Sequence, residues 1–204
     1  MPKVGMEPIR RAALVKATID EIGAKGTLDI TVAQIARRAG MSAALAHHYF
    51  GAKEDIFLAA MRHTLVVYAA EVRGAMTMAD TPRERLQAIV RAGFGPSNFR
   101  PEVVASWINF WFLARTNEGA ARLLRAYEGR LRSNLTINFR ALIGDRAPQA
   151  AERLAALIDG VYLRHGVGRS AKITNDQARR AALKTVLEGL ALELGDALPA
   201  PAKE

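Results

Sequence analysis

The sequence predicts an all-α protein, and three observations support this fold class. Apolar residues recur at helical spacing along most of the chain, capping signals mark successive helix starts, and no segment alternates between apolar and polar residues as a half-buried strand would. Half of the 204 residues are hydrophobic and 24% are charged, which is enough to bury a core. The expected helices, about nine in number, span residues 9–25, 31–38, 42–48, 53–74, 81–93, 101–116, 119–143, 149–166 and 175–194.

Several helix starts are set by residues that satisfy unpaired backbone amides. Thr31 and Gln34 have the spacing of a capping box, in which each side chain accepts a hydrogen bond from the other residue's backbone amide. Thr81 and Glu84 repeat this spacing, and Thr174 is expected to cap the last helix. These signals fix where the helices begin more firmly than the apolar spacing does.

Residues 31–55 contain two short helices joined by a Gly-containing turn, and a third helix follows at once. This arrangement is a helix-turn-helix, which places its second helix in the major groove of DNA. Small residues in 42–48 allow close approach to bases, and His47 can donate to a base edge or a phosphate, while Tyr49 and Lys53 can hold phosphates. The residues predicted to contact DNA are Thr31, Arg38, Ser42, Ala43, Ala44, Leu45, His47, Tyr49 and Lys53.

Two other interpretations of this segment stay open at this point. A plain three-helix core with incidental basic residues would share much of the pattern. His47 and His48 could in principle hold a metal ion, but adjacent residues point to different sides of a helix, so we predict no metal site.

The charge of the chain favours an anionic partner without locating the surface that binds it. The formal net charge is +9, which suits nucleic acid or an anionic membrane. Residues 1–68 carry nine Lys or Arg against six Asp or Glu, and the rest of the chain carries 20 against 14. Basic residues are therefore scattered among acidic ones, and no apolar run is long enough to span a bilayer. We expect a soluble, cytoplasmic protein that does not bind membranes.

The sequence gives no support for an enzyme. The chain has no cysteine and four histidines, and it lacks the HExxH, GxSxG and P-loop patterns. The absence of cysteine also excludes disulfides and thiolate metal sites. We therefore predict no catalytic residue and no cofactor.

The helix-turn-helix segment resembles the tetracycline-repressor (TetR) family of bacterial transcriptional regulators. Ala44 and His47 depart from the family pattern, which usually has Gly at the first position and often Tyr at the second. The matching positions are Thr31, Ile35, Ala36, Ala39, Gly40, Ser42, Tyr49, Phe50, Lys53 and Glu54. The resemblance implies a ligand-responsive repressor made of a DNA-binding head and a helical regulatory domain. The implied parts are an N-terminal arm (1–7), the DNA-binding domain (8–68), a ligand-binding and dimerisation domain (69–195) and a disordered tail (196–204).

Further segments resemble one branch of that family, the choline-responsive repressors of glycine-betaine synthesis. The similarity runs from residue 1 to about residue 164 and includes the segments MPKVGMEPIRR, AQIARRAG, HHYFGAK and LAALIDGVYLR. It implies choline or a related quaternary ammonium ion as the ligand. Such a cation forms no hydrogen bond through its nitrogen and is best held by aromatic faces.

Aromatic residues beyond position 100 are the candidates for such a cage. Trp107, Phe110 and Trp111 lie at i, i+3 and i+4, on one face of a helix, and Tyr127 and Tyr162 lie on the next two helices. These five residues are the predicted ligand contacts. An aromatic stripe at helical spacing is also typical of an ordinary core, so the same residues could simply fill the interior.

The resemblance also implies a homodimer formed by helices 149–166 and 175–194, which carry apolar stripes. Two-fold symmetry would place two recognition helices about 34–36 Å apart, one turn of DNA, on a near-palindromic operator. Two alternatives remain: a family repressor that responds to a different small molecule, and a DNA-binding dimer that has no small-molecule ligand.

Overall fold

The fold was analysed in a computed structural model, which describes residues 5–167 and 175–196. Within these ranges the chain forms nine α-helices and one 3₁₀ turn and has no strand, which confirms the predicted all-α class. The helices are α1 (Met6–Lys25), α2 (Val32–Arg38), α3 (Ala43–Phe50), α4 (Lys53–Thr77), α5 (Pro82–Gly93), α6 (Pro101–Ala114), α7 (Glu118–Ile143), α8 (Ala147–Val167) and α9 (Asn175–Leu194), and the 3₁₀ turn spans Gly144–Arg146.

Both capping boxes that the sequence predicts are present. The Thr31 hydroxyl accepts from the Gln34 amide at 3.2 Å, and the Thr31 amide donates to Gln34 Oε1 at 2.7 Å. The Thr81 amide donates in the same way to Glu84 Oε2 at 2.9 Å, and these backbone hydrogen bonds hold the pKa of Glu84 below its usual value. The predicted Thr174 cap lies outside the described residues.

Several predicted boundaries were wrong by a few residues. Helix α1 begins at Met6, so residues 6 and 7 belong to a helix and not to an N-terminal arm. Helix α3 continues to Phe50, helix α4 continues to Thr77, and α8 begins at Ala147, directly after the 3₁₀ turn. Helix ends are set by local hydrogen bonds that apolar spacing does not report.

The described residues divide into two compact units. The first comprises the described parts of Met1–Val67 and Arg100–Leu124, and the second those of Tyr68–Phe99 and Arg125–Glu204. The sequence-based division instead drew 69–195 as one continuous domain. The structure groups α6 with the N-terminal helices because α6 packs along α1.

The first unit has one hydrophobic core, formed by α1, α2, α3, the start of α4, α6 and the first turns of α7. Leu14 and Ile22 of α1, Ile35 of α2, Ile56 of α4 and Phe110 of α6 are all completely buried in it. At the crossing of α1 and α6, a Cβ added to Gly23 would overlap the Cα and Cβ atoms of Glu102. The absence of a side chain at Gly23 thus lets the two helices approach closely.

The second unit is built on the pairing of α8 with α9 and of α9 with α5. The end of α9 is held by ion pairs: Arg153 donates to Glu193 at 2.6 Å, and Arg83 donates to Asp196 Oδ1 at 2.9 Å. Asp196 was predicted to begin a disordered tail, but this ion pair and the hydrogen bond from its backbone amide to the carbonyl oxygen of Ala191 hold it in place. Residues 197–204 lie outside the described part of the chain.

No helix within residues 5–167 and 175–196 has the length and apolar character needed to cross a bilayer.

Gly23→Ala tests the close approach of α1 and α6. We expect it to lower the free energy of unfolding by about 1–3 kcal/mol, because the added methyl group must displace backbone and not a flexible side-chain end. The measurement is urea unfolding followed by circular dichroism. Gly74→Ala is the control, since nothing lies within 4 Å of a Cβ at that helical position and alanine favours the helix by about 0.5–1 kcal/mol. Equal stability of the two variants would contradict the packing described here.

Candidate DNA-reading and ligand-binding sites

Helices α2 and α3 are joined by the turn that a helix-turn-helix requires. Val32, Ile35 and Ala36 of α2 face the core, as predicted. Gly40 in the turn has φ of 68°, a left-handed conformation that glycine adopts without steric cost. The turn is closed by a hydrogen bond of 2.8 Å from the Met41 amide to the carbonyl oxygen of Ala36.

Helix α3 turns one small residue inward and presents polar and small residues to solvent. Ala46 is completely buried and is the contact through which the helix sits on the core. Ser42 caps the helix, and its hydroxyl accepts from the Leu45 amide at 3.2 Å. Ser42, Ala44 and His47 are exposed and Ala43 and Leu45 are partly exposed. Thr31 is also exposed, at the start of α2, with its side chain engaged in the capping box.

His47 is held in a fixed orientation by the glycine that ends α3. Its Nδ1 donates to the carbonyl oxygen of Gly51 at 2.8 Å, and the Gly51 amide donates to the carbonyl oxygen of His47 at 2.7 Å. Gly51 has φ of 74° and ψ of −98°, and its carbonyl oxygen faces the imidazole. The ring is therefore preorganised and exposed on the same helix as Ala44.

Two arginines from α1 secure the last turn of α3. Arg10 Nη1 donates to the Tyr49 hydroxyl at 3.1 Å, while Arg11 donates to the Tyr49 carbonyl and lies 4.4 Å from the centre of the Phe50 ring. The sequence placed Tyr49 just beyond the helix, whereas the structure places it in the last turn of α3. Lys53, in the first turn of α4, lies 5.4 Å from the centre of the Phe57 ring and is partly exposed.

Arg38, predicted to contact DNA, is engaged in an ion pair. Its Nε donates to Glu21 Oε1 at 2.6 Å, and the side chain of Glu21 is only 10% exposed. This hydrogen bond raises the pKa of Arg38. The guanidinium thus compensates a nearly buried carboxylate of α1, a role that the spacing of basic residues does not reveal.

The five aromatic residues predicted to bind ligand are divided between the two units. Trp107, Phe110 and Trp111 lie on α6 in the first unit, where Phe110 is completely buried and Trp107 is 5% exposed. The rings of Trp107 and Trp111 are 6.4 Å apart. Phe110 is thus an ordinary core residue, which was the alternative to a ligand contact that the sequence left open.

Tyr162, in the second unit, is buried and structurally engaged. Its hydroxyl contacts the carbonyl oxygen of Gly93 and lies 3.1 Å from that of Asn98. Its ring packs against Phe94 at 5.2 Å and Phe99 at 5.6 Å. Burial raises the pKa of Tyr162, so the phenol stays protonated. Its hydroxyl therefore connects α8 to the end of α5 and to the loop that follows.

Tyr127 lies in a different setting, beside a carboxylate. Its hydroxyl donates to Asp159 Oδ1 at 3.3 Å, and its ring meets that of Tyr68 edge to face at 5.6 Å. Burial raises the pKa of both phenols, so both remain neutral. Two aromatic rings and a carboxylate, from α4, α7 and α8, are thus brought together within the second unit.

The surroundings of Asp159 disfavour its ionised form. Burial raises its pKa to about 6, the hydrogen bond from Tyr127 opposes that rise, and the negative charge of Glu128 adds to it. No Lys or Arg forms an ion pair with Asp159 in the described part of the chain. A partly buried carboxylate with aromatic neighbours and no cation of its own is suited to receive one.

The sequence argument missed Asp159 and Tyr68 as ligand candidates. A signal was available: Asp159 falls among apolar residues of α8, between Ile158 and Val161, where a carboxylate must be partly buried. Among the residues that the structure describes, no group of three or more His, Asp or Glu side chains could hold a metal ion.

Comparison with known proteins agrees with this architecture. Residues 14–60 match the family described as bacterial regulatory proteins of the tetR family, and residues 82–192 match the C-terminal region of BetI-type transcriptional repressors. The chain belongs to the TetR family. Members of this family bind DNA as dimers, and the expectation of a transcriptional repressor and not an enzyme is confirmed.

Curated relatives are similar along most of the chain. A regulator named BetI from Brucella anthropi is 48% identical over 172 residues, which cover 84% of this chain and 89% of the relative. The BetI regulator of Rhizobium meliloti is 49% identical over 175 residues, or 85% and 86% of the two chains. A transcriptional regulator from Saccharomonospora viridis, solved in complex with choline, shares the fold with a TM-score of 0.73 and 24% identity, covering 87% of this chain and 95% of its own.

Arg38→Ala tests whether Arg38 serves the fold through Glu21. We expect it to lower the free energy of unfolding by about 1 kcal/mol, because Glu21 loses the donor that compensates its desolvation. Arg37→Ala, at the neighbouring exposed position, should change it by less than about 0.5 kcal/mol. Thermal unfolding of both variants measures the difference, and a larger loss in Arg37→Ala would contradict this role for Arg38.

Proposed function

We propose that this TetR-family repressor is released from its operator by choline or a closely related quaternary ammonium ion, bound beside Asp159. The observation that carries the proposal is a partly buried carboxylate, without a paired cation among the described residues, next to the rings of Tyr68 and Tyr127. The BetI-type relatives and the choline complex of a protein with the same fold support the choice of ligand class.

The chemistry of these three residues fits a methylated ammonium ion. Such an ion offers a diffuse positive charge and no N–H donor, so aromatic rings and a carboxylate attract it. Each ring contributes about 0.5–2 kcal/mol, depending on desolvation. Asp159 supplies a full negative charge in a partly desolvated position, where its attraction is screened less than at the surface.

The arrangement of α2 and α3 supports the DNA-binding part of the proposal. We place α3 in the major groove, with Ser42, Ala43, Ala44, Leu45 and His47 facing the bases, because these residues are exposed or partly exposed on one short helix. Tyr49 and Lys53, with Thr31 at the N-cap of α2 and Arg38 at its last position, would then lie near the backbone phosphates. Arg38 also maintains its ion pair with Glu21.

A dimer formed through α8 and α9 would present two copies of α3 to a near-palindromic operator. Both helices expose apolar side chains in the single chain, with Leu163 at 44% and Leu192 at 60% exposed. Apolar surface of this kind is typical of a face that another subunit covers.

A single helix connects the proposed ligand site with the head. Helix α4 contributes Tyr68 to the second unit, and its first turns contribute Lys53, Ile56 and Phe57 to the first. A ligand that displaces Tyr68 therefore acts on the helix that follows α3. Coupling free energies in such regulators are typically about 1–3 kcal/mol, which changes operator affinity by about five- to 150-fold.

Asp159→Asn should abolish choline binding while it stabilises the protein. The amide removes the charge that attracts the cation, and it also removes the cost of keeping a carboxylate ionised in a partly buried position, worth about 1–3 kcal/mol at pH 8. We expect no binding heat with choline in isothermal titration calorimetry, a higher Tm, and operator binding that choline no longer weakens.

The neutral isostere of choline, 3,3-dimethylbutan-1-ol, is the matched control ligand, because it keeps the shape and loses the charge. It should bind the wild-type protein at least about tenfold more weakly than choline. Glu118→Gln, a change in an exposed residue of the first unit, serves as the control variant and should respond to choline normally. If Asp159→Asn binds choline as tightly as wild type, the proposed site is wrong.

Choline binding should depend on the protonation of Asp159. Its pKa in the ligand-free protein is about 6, raised above that of an ordinary Asp, so the carboxylate is ionised and attractive at pH 8 and mostly protonated at pH 5. Linkage then makes binding about tenfold weaker at pH 5 than at pH 8. Titration calorimetry at both pH values measures this ratio, and Asp159→Asn should show a flat profile. An affinity that rises as the pH falls would exclude this carboxylate.

A further inference from the structure

The hydrogen bond between His47 and Gly51 determines which nitrogen of the imidazole carries a proton. A carbonyl oxygen can only accept, so the 2.8 Å contact with Gly51 O requires a proton on His47 Nδ1. In the neutral ring the proton is used there, and Nε2 is left with a lone pair. The exposed nitrogen of His47 is therefore a hydrogen-bond acceptor, the opposite of the donor role that the sequence suggested.

The orientation of this acceptor is fixed before DNA arrives. The Gly51 amide donates back to the carbonyl oxygen of His47 at 2.7 Å, so ring and backbone are joined by two hydrogen bonds across four residues. Gly51 sustains this geometry with φ of 74°, which other residues rarely adopt. Little side-chain freedom remains to be lost when the ring meets a base.

We propose that His47 reads an exocyclic amino group in the major groove, either N6 of adenine or N4 of cytosine. These are the groups that donate hydrogen bonds into the major groove, whereas guanine and thymine present only acceptors and a methyl group there. An acceptor on α3 thus selects A or C on the strand it faces and disfavours G or T. The inference rests on α3 being the helix that enters the groove.

The side chains beside His47 do not offer a comparable oriented acceptor. Ala43, Ala44 and Leu45 form no hydrogen bonds through their side chains, and the Ser42 oxygen already accepts from the Leu45 amide. His48 is exposed on a different side of the helix and packs its ring edge to face with Tyr49 at 5.4 Å. Among the polar side chains of α3, His47 is the one whose free atom is an oriented acceptor.

The test begins with selection of binding sites from a random DNA pool at pH 8. Wild type, His47→Ala and His48→Ala are selected in parallel. We expect one position in each half-site at which wild type prefers A or C, at which His47→Ala accepts all four bases, and at which His48→Ala keeps the wild-type preference.

A base analogue then tests the same contact without altering the protein. At that position, adenine is replaced by purine, or cytosine by 2-pyrimidinone, each of which lacks only the amino group. Wild-type affinity should fall about three- to tenfold, as expected for one hydrogen bond, and His47→Ala should not distinguish the analogue from the natural base. If purine is the analogue that weakens binding, His47 reads adenine, and if 2-pyrimidinone weakens it, His47 reads cytosine.

Three results would overturn the inference. The first is a preference for G or T at the position that depends on His47. The second is a His47→Ala variant that binds all sequences equally more weakly, which indicates a phosphate contact. The third is an analogue that wild type binds as well as the natural base. A protein that selects no sequence at all would instead contradict the DNA-binding role of α3 itself.

Discussion

The function of this protein depends on holding an eight-residue helix rigidly at its surface. A helix as short as α3 is unstable in isolation, since nucleation costs more than two turns of hydrogen bonds return. The fold supplies what is missing at three points: Ala46 is buried in the core, Ser42 caps the first turn, and Arg10 and Arg11 fasten the last turn through Tyr49. The outer face can therefore carry small residues.

In the regulatory half, the corresponding constraint is electrostatic. Asp159 is placed where burial raises its pKa and where the described residues provide no ion pair. In a protein that needed only to dimerise, an apolar residue would serve better at this position. A destabilising carboxylate beside the Tyr68–Tyr127 pair has a physical purpose if a cation completes the site. The same unit contains a contrasting case: the carboxylate of Glu71 accepts hydrogen bonds from Ser97 at 2.7 Å and from the side chain of Asn98.

The helices and the DNA-reading segment could be predicted because their signals are local. A capping box requires two residues three positions apart, and a left-handed turn requires a glycine, so Thr31, Thr81 and Gly40 revealed their roles without any tertiary information. The ligand candidates required knowledge of what packs against each aromatic ring. Phe110 and Tyr127 are both aromatic residues on helices, but one fills a core and the other borders a carboxylate from another helix.

By itself, then, the sequence determined the helical class, the helix-turn-helix and the family, because periodicity, caps and turn residues act over a few neighbouring positions. The tertiary structure decided that Arg38 pairs with Glu21 and that the Tyr162 hydroxyl contacts the carbonyl oxygens of Gly93 and Asn98. It also decided that Tyr127 packs against Tyr68 and donates to Asp159. These pairings join residues 17 to 69 positions apart. No local rule specifies them, since they arise only when whole helices settle against one another and bury their charges together.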